Sequence, residues 1–225
     1  MVGALMYLTA STPDIVHATC YCGRYQAKPT EKHLTAVKWI FRYLKDTINM
    51  GLWYPKDTDT IHMGHWYPKD TGFELTAFSD LDHADCLDSR KSTSVGIQFL
   101  GGDKLVSCSS KKQDCTSMSF AEAESACCDQ VLWLRTQLTD YGFHINKIPM
   151  YCDSKAAIAI SCNPVQHSRT KELVEKGIAE LFFNGIEYQL ADMFTKALPE
   201  DRLKYLVRRL GMRCFTPEEL EVLAN

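Results

Sequence analysis

Three short segments of strand character follow one another and give way to a long helical one, and this order constrains the fold more than any other feature of the chain. Phe73-Glu-Leu-Thr-Ala-Phe-Ser79 alternates apolar and polar side chains, and Ser94-Val-Gly-Ile-Gln-Phe-Leu100 follows. The turn Gly101-Gly102-Asp103 then leads into Lys104-Leu-Val-Ser-Cys-Ser109. Successive strands joined by tight connections predict an antiparallel meander. A helix over 119–140 comes next, then a strand Ile148-Pro-Met-Tyr-Cys-Asp153 and a helix over Lys155–Ser161. A strand over Ile178–Phe183 and a helical tail from about Gln189 complete the order βββαβαβα. That order predicts an α/β fold with a mixed sheet flanked by helices.

Upstream, residues 1–49 read as helical. Thr30 is placed to cap a helix over Glu31–Lys45, with Leu34, Val37, Phe41 and Leu44 as its apolar stripe. Met50-Gly-Leu-Trp-Tyr-Pro-Lys-Asp-Thr58 then recurs as Met63-Gly-His-Trp-Tyr-Pro-Lys-Asp-Thr71 with one mismatch. Two copies are too few and too short for a solenoid, so residues 50–72 read as a duplicated linker. The expected division is thus 1–49 helical, 50–72 linker, 73–212 the α/β domain and 213–225 a tail.

Composition narrows the function classes. With 225 residues and a formal net charge of −3, the chain has no general basic footprint, so nucleic-acid binding would rest on local patches. Its ten cysteines form no C-x-x-C pair and accompany no secretory signal, which favours reduced, mostly buried thiols. No apolar run reaches the roughly 18 residues that span a bilayer. The expectation is a soluble protein of cytoplasm or nucleus, with no membrane partner.

The acidic residues carry the chemistry. Ala77-Phe-Ser-Asp-Leu-Asp-His-Ala-Asp-Cys-Leu-Asp88 resembles a calcium loop in density but not in spacing, since a loop starting at Asp80 would have Ala84, Asp85 and Lys91 where Asp or Asn, Gly and Glu are needed. Asp80 instead ends the first strand, and Asp82, Asp85 and Asp88 fall in the turn after it. On the long helix, Ser119 and Glu122 form a capping box, whereas Glu124 lies near the edge of the buried stripe of Phe120, Ala123, Cys127, Val131, Leu134 and Leu138. Asp153 ends a strand before a helix, and Asp192 sits near the start of the last helix. Each alone reads first as a cap or turn residue. Gathered at strand ends and helix starts, they would repel one another without a divalent cation.

From about position 73 to 212 the chain resembles the RNase H domain at the end of copia-type retrotransposon Pol polyproteins. The matching residues are Phe78-Ser-Asp-Leu-Asp82, Asp88-Ser-Arg-Lys-Ser-Thr-Ser94, Phe99-Leu-Gly-Gly102, Ser109-Ser-Lys-Lys-Gln113, Ala121-Glu-Ala-Glu124, Tyr151-Cys-Asp153, Asn163-Pro-Val-Gln-His-Ser-Arg-Thr-Lys171 and Gln189-Leu-Ala-Asp-Met-Phe-Thr-Lys196. Residues 1–55 are similar to the segment joining reverse transcriptase to RNase H in the same polyproteins. The resemblance implies an RNase H-like fold with catalytic, metal-binding acids at Asp80, Glu124, Asp153 and Asp192. It implies two Mg²⁺ ions, with Mn²⁺ as a substitute, and hydrolysis of the RNA strand of an RNA–DNA hybrid. Lys111, Lys112, His167, Arg169 and Lys171 are candidate contacts to the nucleic-acid backbone, and read equally as surface charges.

The chain also departs from that pattern. Lys171 runs almost directly into Glu172-Leu-Val-Glu-Lys-Gly177, so most of the helix before the last strand is expected to be missing, exposing sheet and shifting Asp192. Ser125 and Cys108 stand where the family usually has aromatics. The Tyr-x-Asp-Asp motif of the polymerase is absent, which excludes polymerase activity for this chain by itself. An active or impaired endonuclease, a non-catalytic nucleic-acid-binding remnant and an unstable gene fragment all remain open.

Overall fold

A computed structural model gives the fold and describes residues 1–54, 74–82, 92–102, 104–112, 120–161 and 169–224. Three helices, α1 (Val2–Leu8), α2 (Val16–Arg24) and α3 (Glu31–Asp46), lead to a short strand β1 (Met50–Leu52). Then come β2 (Leu75–Asp82), β3 (Thr93–Leu100), β4 (Lys104–Lys112), α4 (Phe120–Asp140), β5 (Ile148–Cys152), α5 (Lys155–Ser161), α6 (Arg169–Glu175), β6 (Ala179–Phe183) and α7 (Asp192–Thr195). The chain closes with α8 (Glu200–Arg209), β7 (Met212–Cys214) and α9 (Pro217–Ala224). Two compact units result, one of Met1–Lys56 with Ala197–Asn225 and one of Asp57–Lys196. The 73–212 span read from the sequence crosses this division at Lys196.

In the unit that holds both termini, Leu5, Ile15, Cys22, Val37 and Ile40 form the core. Thr30 does cap α3, and its backbone N–H donates to His33 Nδ1 at 3.0 Å, the reach-back usually made by Glu or Gln. His33 in turn stacks on Tyr25, with ring centroids 4.2 Å apart. The buried face of α3 differs from the expected stripe: Val37 and Ile40 are inside, whereas Leu34 and Phe41 are 45% and 39% exposed. Apolar residues on α3 cover more than one face, and the position of α2 selects the face that is buried.

The first copy of the duplication does not begin as a loop. Met50–Leu52 pairs antiparallel with Met212–Cys214, and Trp53 N–H donates to Gly211 O at 2.9 Å. The Trp53 ring then packs on Phe215 and under the Arg213 guanidinium. The second copy lies outside the described residues.

The other unit is built on a five-stranded sheet in the order β4-β3-β2-β5-β6. β2, β3 and β4 form the antiparallel meander, and β5 and β6 add parallel to β2. The turn from β3 to β4 has Gly101 and Gly102 at φ 63° and 89°, a conformation that side-chain-bearing residues resist. Alternation along the strands divides the faces. Leu75, Ala77, Ile148, Met150 and Ala179 form one core with Cys128 and Val131 of α4. Phe78, Val95, Ile97 and Phe99 point to the opposite face, where Phe78 meets Phe99 edge-on and stacks with Tyr151. This is the mixed, helix-flanked α/β sheet that the element order predicts, with the strand order of an RNase H-like fold.

Two details differ from expectation. β2 extends to Asp82, which pairs with Thr93, so Asp82 belongs to the strand and not to the turn; Asp85 and Asp88 lie outside the described residues. The helix before the last strand is short, as expected, yet α6 keeps seven residues and buries Leu173 in the α4 core. Among the described residues, Cys22, Cys128 and Cys152 are buried, Cys20 and Cys108 half-buried and Cys214 exposed, and these six are thiols outside any disulfide.

Candidate metal centre

Sheet register brings the first two acids together. Ser79 of β2 lies opposite Cys152 of β5 in a parallel pair, so Asp80 and Asp153, one step further along each chain, come level. Both sit toward the carboxyl ends of adjacent parallel strands, where side chains open into the crevice beyond the sheet. Asp192 arrives from the far end of the domain as the first residue of α7.

Several hydrogen bonds fix that arrival. Gln189, fully buried, donates from Nε2 to the Ser79 carbonyl at 2.9 Å, while its Oε1 accepts from Ala191 N–H at 3.3 Å. Ser110 of β4 donates to Phe194 O at 2.9 Å. Thr195 Oγ1 donates to Asp80 Oδ2 at 2.7 Å and also lies 3.0 Å from Asp192 O. Short as it is, α6 packs Leu173 into one core with Ala179 of β6, and α7 is tied to β2 and β4.

Carboxylate oxygens of Asp80, Asp153 and Asp192 lie within 4.8 Å of one another. Asp80 and Asp192 are buried and Asp153 is half-buried. Burial, first of all, pushes Asp80 up to about 6, and the charges of Asp153 and Asp192 add to this against the Thr195 hydrogen bond and the Lys196 charge. Asp153 is raised as well, by burial and then by Asp192. The Lys196 ammonium sits 2.8 Å from Asp192 Oδ1. Convergent hard oxygen donors that repel one another fit a divalent cation such as Mg²⁺ or Mn²⁺.

The other sequence candidates divide. Glu124 lies in the first turns of α4, but its side chain falls outside the described residues, as do His167 and the Arg169 side chain. Lys111 and Lys112 end β4, the former exposed. Lys171 has a side chain only 8% exposed and pairs with Glu175 at 3.4 Å, unlike an exposed phosphate contact. Gln189, Thr195 and Lys196 stand inside the quoted Gln189–Lys196 motif, yet nothing in their spacing singles them out.

Comparison with known proteins points the same way. The chain is 32% identical over 226 residues, 94% of its length, to the retrovirus-related Pol polyprotein from transposon TNT 1-94 of Nicotiana tabacum. It is 32% identical over 232 residues, 96% of its length, to the corresponding polyprotein from transposon RE1 of Arabidopsis thaliana. These homologues, matched over nearly the whole chain, are copia-type retrotransposon Pol polyproteins. The chain spans 16% and 15% of those two polyproteins. No family model matches the chain. Among solved structures, the N-terminal RNase H domain of a Mycobacterium tuberculosis protein aligns over 61% of this chain and 98% of its own, at 11% identity and a TM-score of 0.41. That likeness is slight, and the sheet order given above carries the fold. This Pol segment is a retrotransposon-derived RNase H-like domain joined to a helical unit. Among its described residues, no helix is long and apolar enough to cross a membrane.

Proposed function

We propose that this Pol segment hydrolyses the RNA strand of RNA–DNA hybrids, using Asp80, Glu124, Asp153 and Asp192 as the acids that hold two Mg²⁺ ions, with Mn²⁺ able to replace them. The observation that carries this reading is the convergence of three of the acids within 4.8 Å, from strands and a helix far apart in sequence. Divalent ions held there would supply an activated water and stabilise the leaving oxygen of an in-line displacement.

The chain's own residues prepare the site. Asp80 lies within β2 and Asp153 is the first residue after β5, so the parallel register of the two strands brings both to the same level. Thr195 orients Asp80 through its hydroxyl, and Gln189 fixes the backbone that delivers Asp192. Lys111 and Lys112, at the end of β4, are offered as backbone contacts for the hybrid. Discrimination of RNA from DNA would rest on the 2′-hydroxyl.

The test is cleavage of a labelled RNA–DNA hybrid by the purified chain in Mg²⁺, beside Asp80→Asn and Asp153→Asn. Magnesium-dependent cutting of the RNA strand is expected from the parent chain, with both substitutions reducing it to background. Cleavage that survives both substitutions overturns the site assignment. Hybrid binding without cleavage by the parent chain points instead to the non-catalytic binding role.

A further inference from the structure

We propose that Lys196 is a built-in counter-cation for the acidic cluster: it holds Asp192 while no divalent ion is bound and has to release it for one to bind. This deepens the metal-site reading above and rests on it.

Position comes first. Lys196 follows the four-residue helix α7 directly, with extended backbone, and its Nζ reaches back one turn to Asp192 Oδ1 at 2.8 Å. The two ends of that pair differ in their surroundings. Asp192 has a side chain 3% exposed, whereas that of Lys196 is 41% exposed. The carboxylate is fixed in the interior, and the ammonium reaches it from solvent on a flexible stem, so the cation is the partner that can withdraw.

Charge gives the reason for the contact. Three carboxylates whose oxygens lie within 4.8 Å of one another repel strongly in a partly desolvated pocket. One ammonium offsets part of that repulsion and can bond one carboxylate well. The contact therefore lowers the energy of the metal-free fold. A divalent ion that draws on Asp192 Oδ1 needs the same oxygen, so the apparent affinity of the site is reduced by whatever is required to displace the lysine.

A structural role and a competitive role differ in one sign. If Lys196 merely supported the site, its removal would weaken metal binding. If it competes, removal strengthens metal binding while weakening the metal-free fold. Mn²⁺ titration of the full chain without nucleic acid, by calorimetry and by thermal unfolding in EDTA and in saturating Mn²⁺, reads both. Lys196→Met is expected to bind Mn²⁺ about tenfold more tightly, the equivalent of one charge-assisted hydrogen bond. It should also melt below the parent chain in EDTA, with the difference closing in Mn²⁺. Lys196→Arg keeps a cation and is expected to restore parent-like affinity; Lys196→Gln serves the same comparison if the methionine variant does not fold. Equal or weaker Mn²⁺ binding by the folded Lys196→Met or Lys196→Gln chain overturns the counter-cation role and leaves the metal site standing. Absence of Mn²⁺ binding by parent and variant alike, in folded protein, overturns the metal-site reading and this inference together.

Discussion

Thr195 and Asp80 lie 115 positions apart, and the Thr195 hydroxyl donates to Asp80 Oδ2 at 2.7 Å in a buried setting. It is a hydrogen bond to a carboxylate, the stronger kind, and it ties α7 to the central strand. Thr195→Val keeps the shape and removes the donor, and the expected cost is about 1–3 kcal/mol of stability in metal-free protein at neutral pH. Thr195→Ser should recover most of it. Urea unfolding of the three proteins checks this, and an unchanged midpoint for the valine variant would show that the bond is not made in solution.

The same carboxylate predicts an unusual pH response. Asp80 is raised from 3.8 to about 6, chiefly by burial, so between those values the folded metal-free protein holds a proton that the unfolded chain has lost. Stability from this group is therefore full below about pH 4 and falls as pH rises through about 6, by up to about 3 kcal/mol. Asp153, raised by burial and then by Asp192, acts in the same direction. Asp80→Asn should thus gain stability relative to the parent chain between pH 4 and pH 7 in EDTA. Saturating Mg²⁺ should reverse the trend for the parent, since binding needs ionised carboxylates. Denaturant midpoints across that range decide it, and a parent-minus-variant difference that does not move with pH would count against a buried Asp80.

Gln189 is the residue on which the position of Asp192 depends most. It is fully buried, and its amide bonds both the Ser79 carbonyl and Ala191 N–H. Gln189→Ala leaves the Ser79 carbonyl without this donor and opens a cavity beside it, for an expected loss of about 2–4 kcal/mol. Because the amide also sets the path into α7, metal affinity should fall about tenfold, the scale seen when groups supporting metal ligands are removed. Gln189→Leu fills the space without the hydrogen bonds and should recover part of the stability but not the affinity. If the leucine variant binds Mn²⁺ as the parent does, the amide is packing and not positioning.

Much of the α/β unit was legible in the sequence because its strands carry their own signal. The alternation in 73–79 and 94–100, the glycine pair at 101–102 and the apolar strand before Asp153 depend on local residue types, and each element formed where it was read. Asp82 reads as a turn residue because aspartate-rich stretches resemble turns, yet pairing with Thr93 carries the strand through it. The buried face of α3 is not legible from its sequence because Leu34 and Phe41 are as apolar as Ile40, and the choice of face is made by the neighbouring helix. At the site, the acids stood out through their strand-end positions and through the family motifs. Thr195, Gln189 and Lys196 did not, since a hydroxyl, an amide or an ammonium gains a role only from partners brought near by the sheet, and for Thr195 and Gln189 those partners lie more than a hundred residues away. The linker was opaque for the same reason: β1 exists because β7, from the end of the chain, pairs with it.

That pairing gives a last prediction, for the other unit. β1 and β7 are three residues each, too short for a two-stranded sheet to persist unaided. What supports them is Trp53, whose ring lies under the Arg213 guanidinium at 4.0 Å and packs on Phe215 at 5.7 Å, while Arg213 also pairs with Glu219 at 3.2 Å. Trp53→Ala removes the cation–π contact and the aromatic packing together and should cost about 1–3 kcal/mol. Trp53→Phe keeps a ring beneath the guanidinium and should retain more than half of that. Arg213→Met keeps an apolar stem and loses the charge, for an expected loss of about 1 kcal/mol. The losses from Trp53→Ala and Arg213→Met should not add, because both act on one contact. Urea unfolding of the single and double variants measures the coupling, and full additivity would show that the stacked pair does not hold β1 against β7.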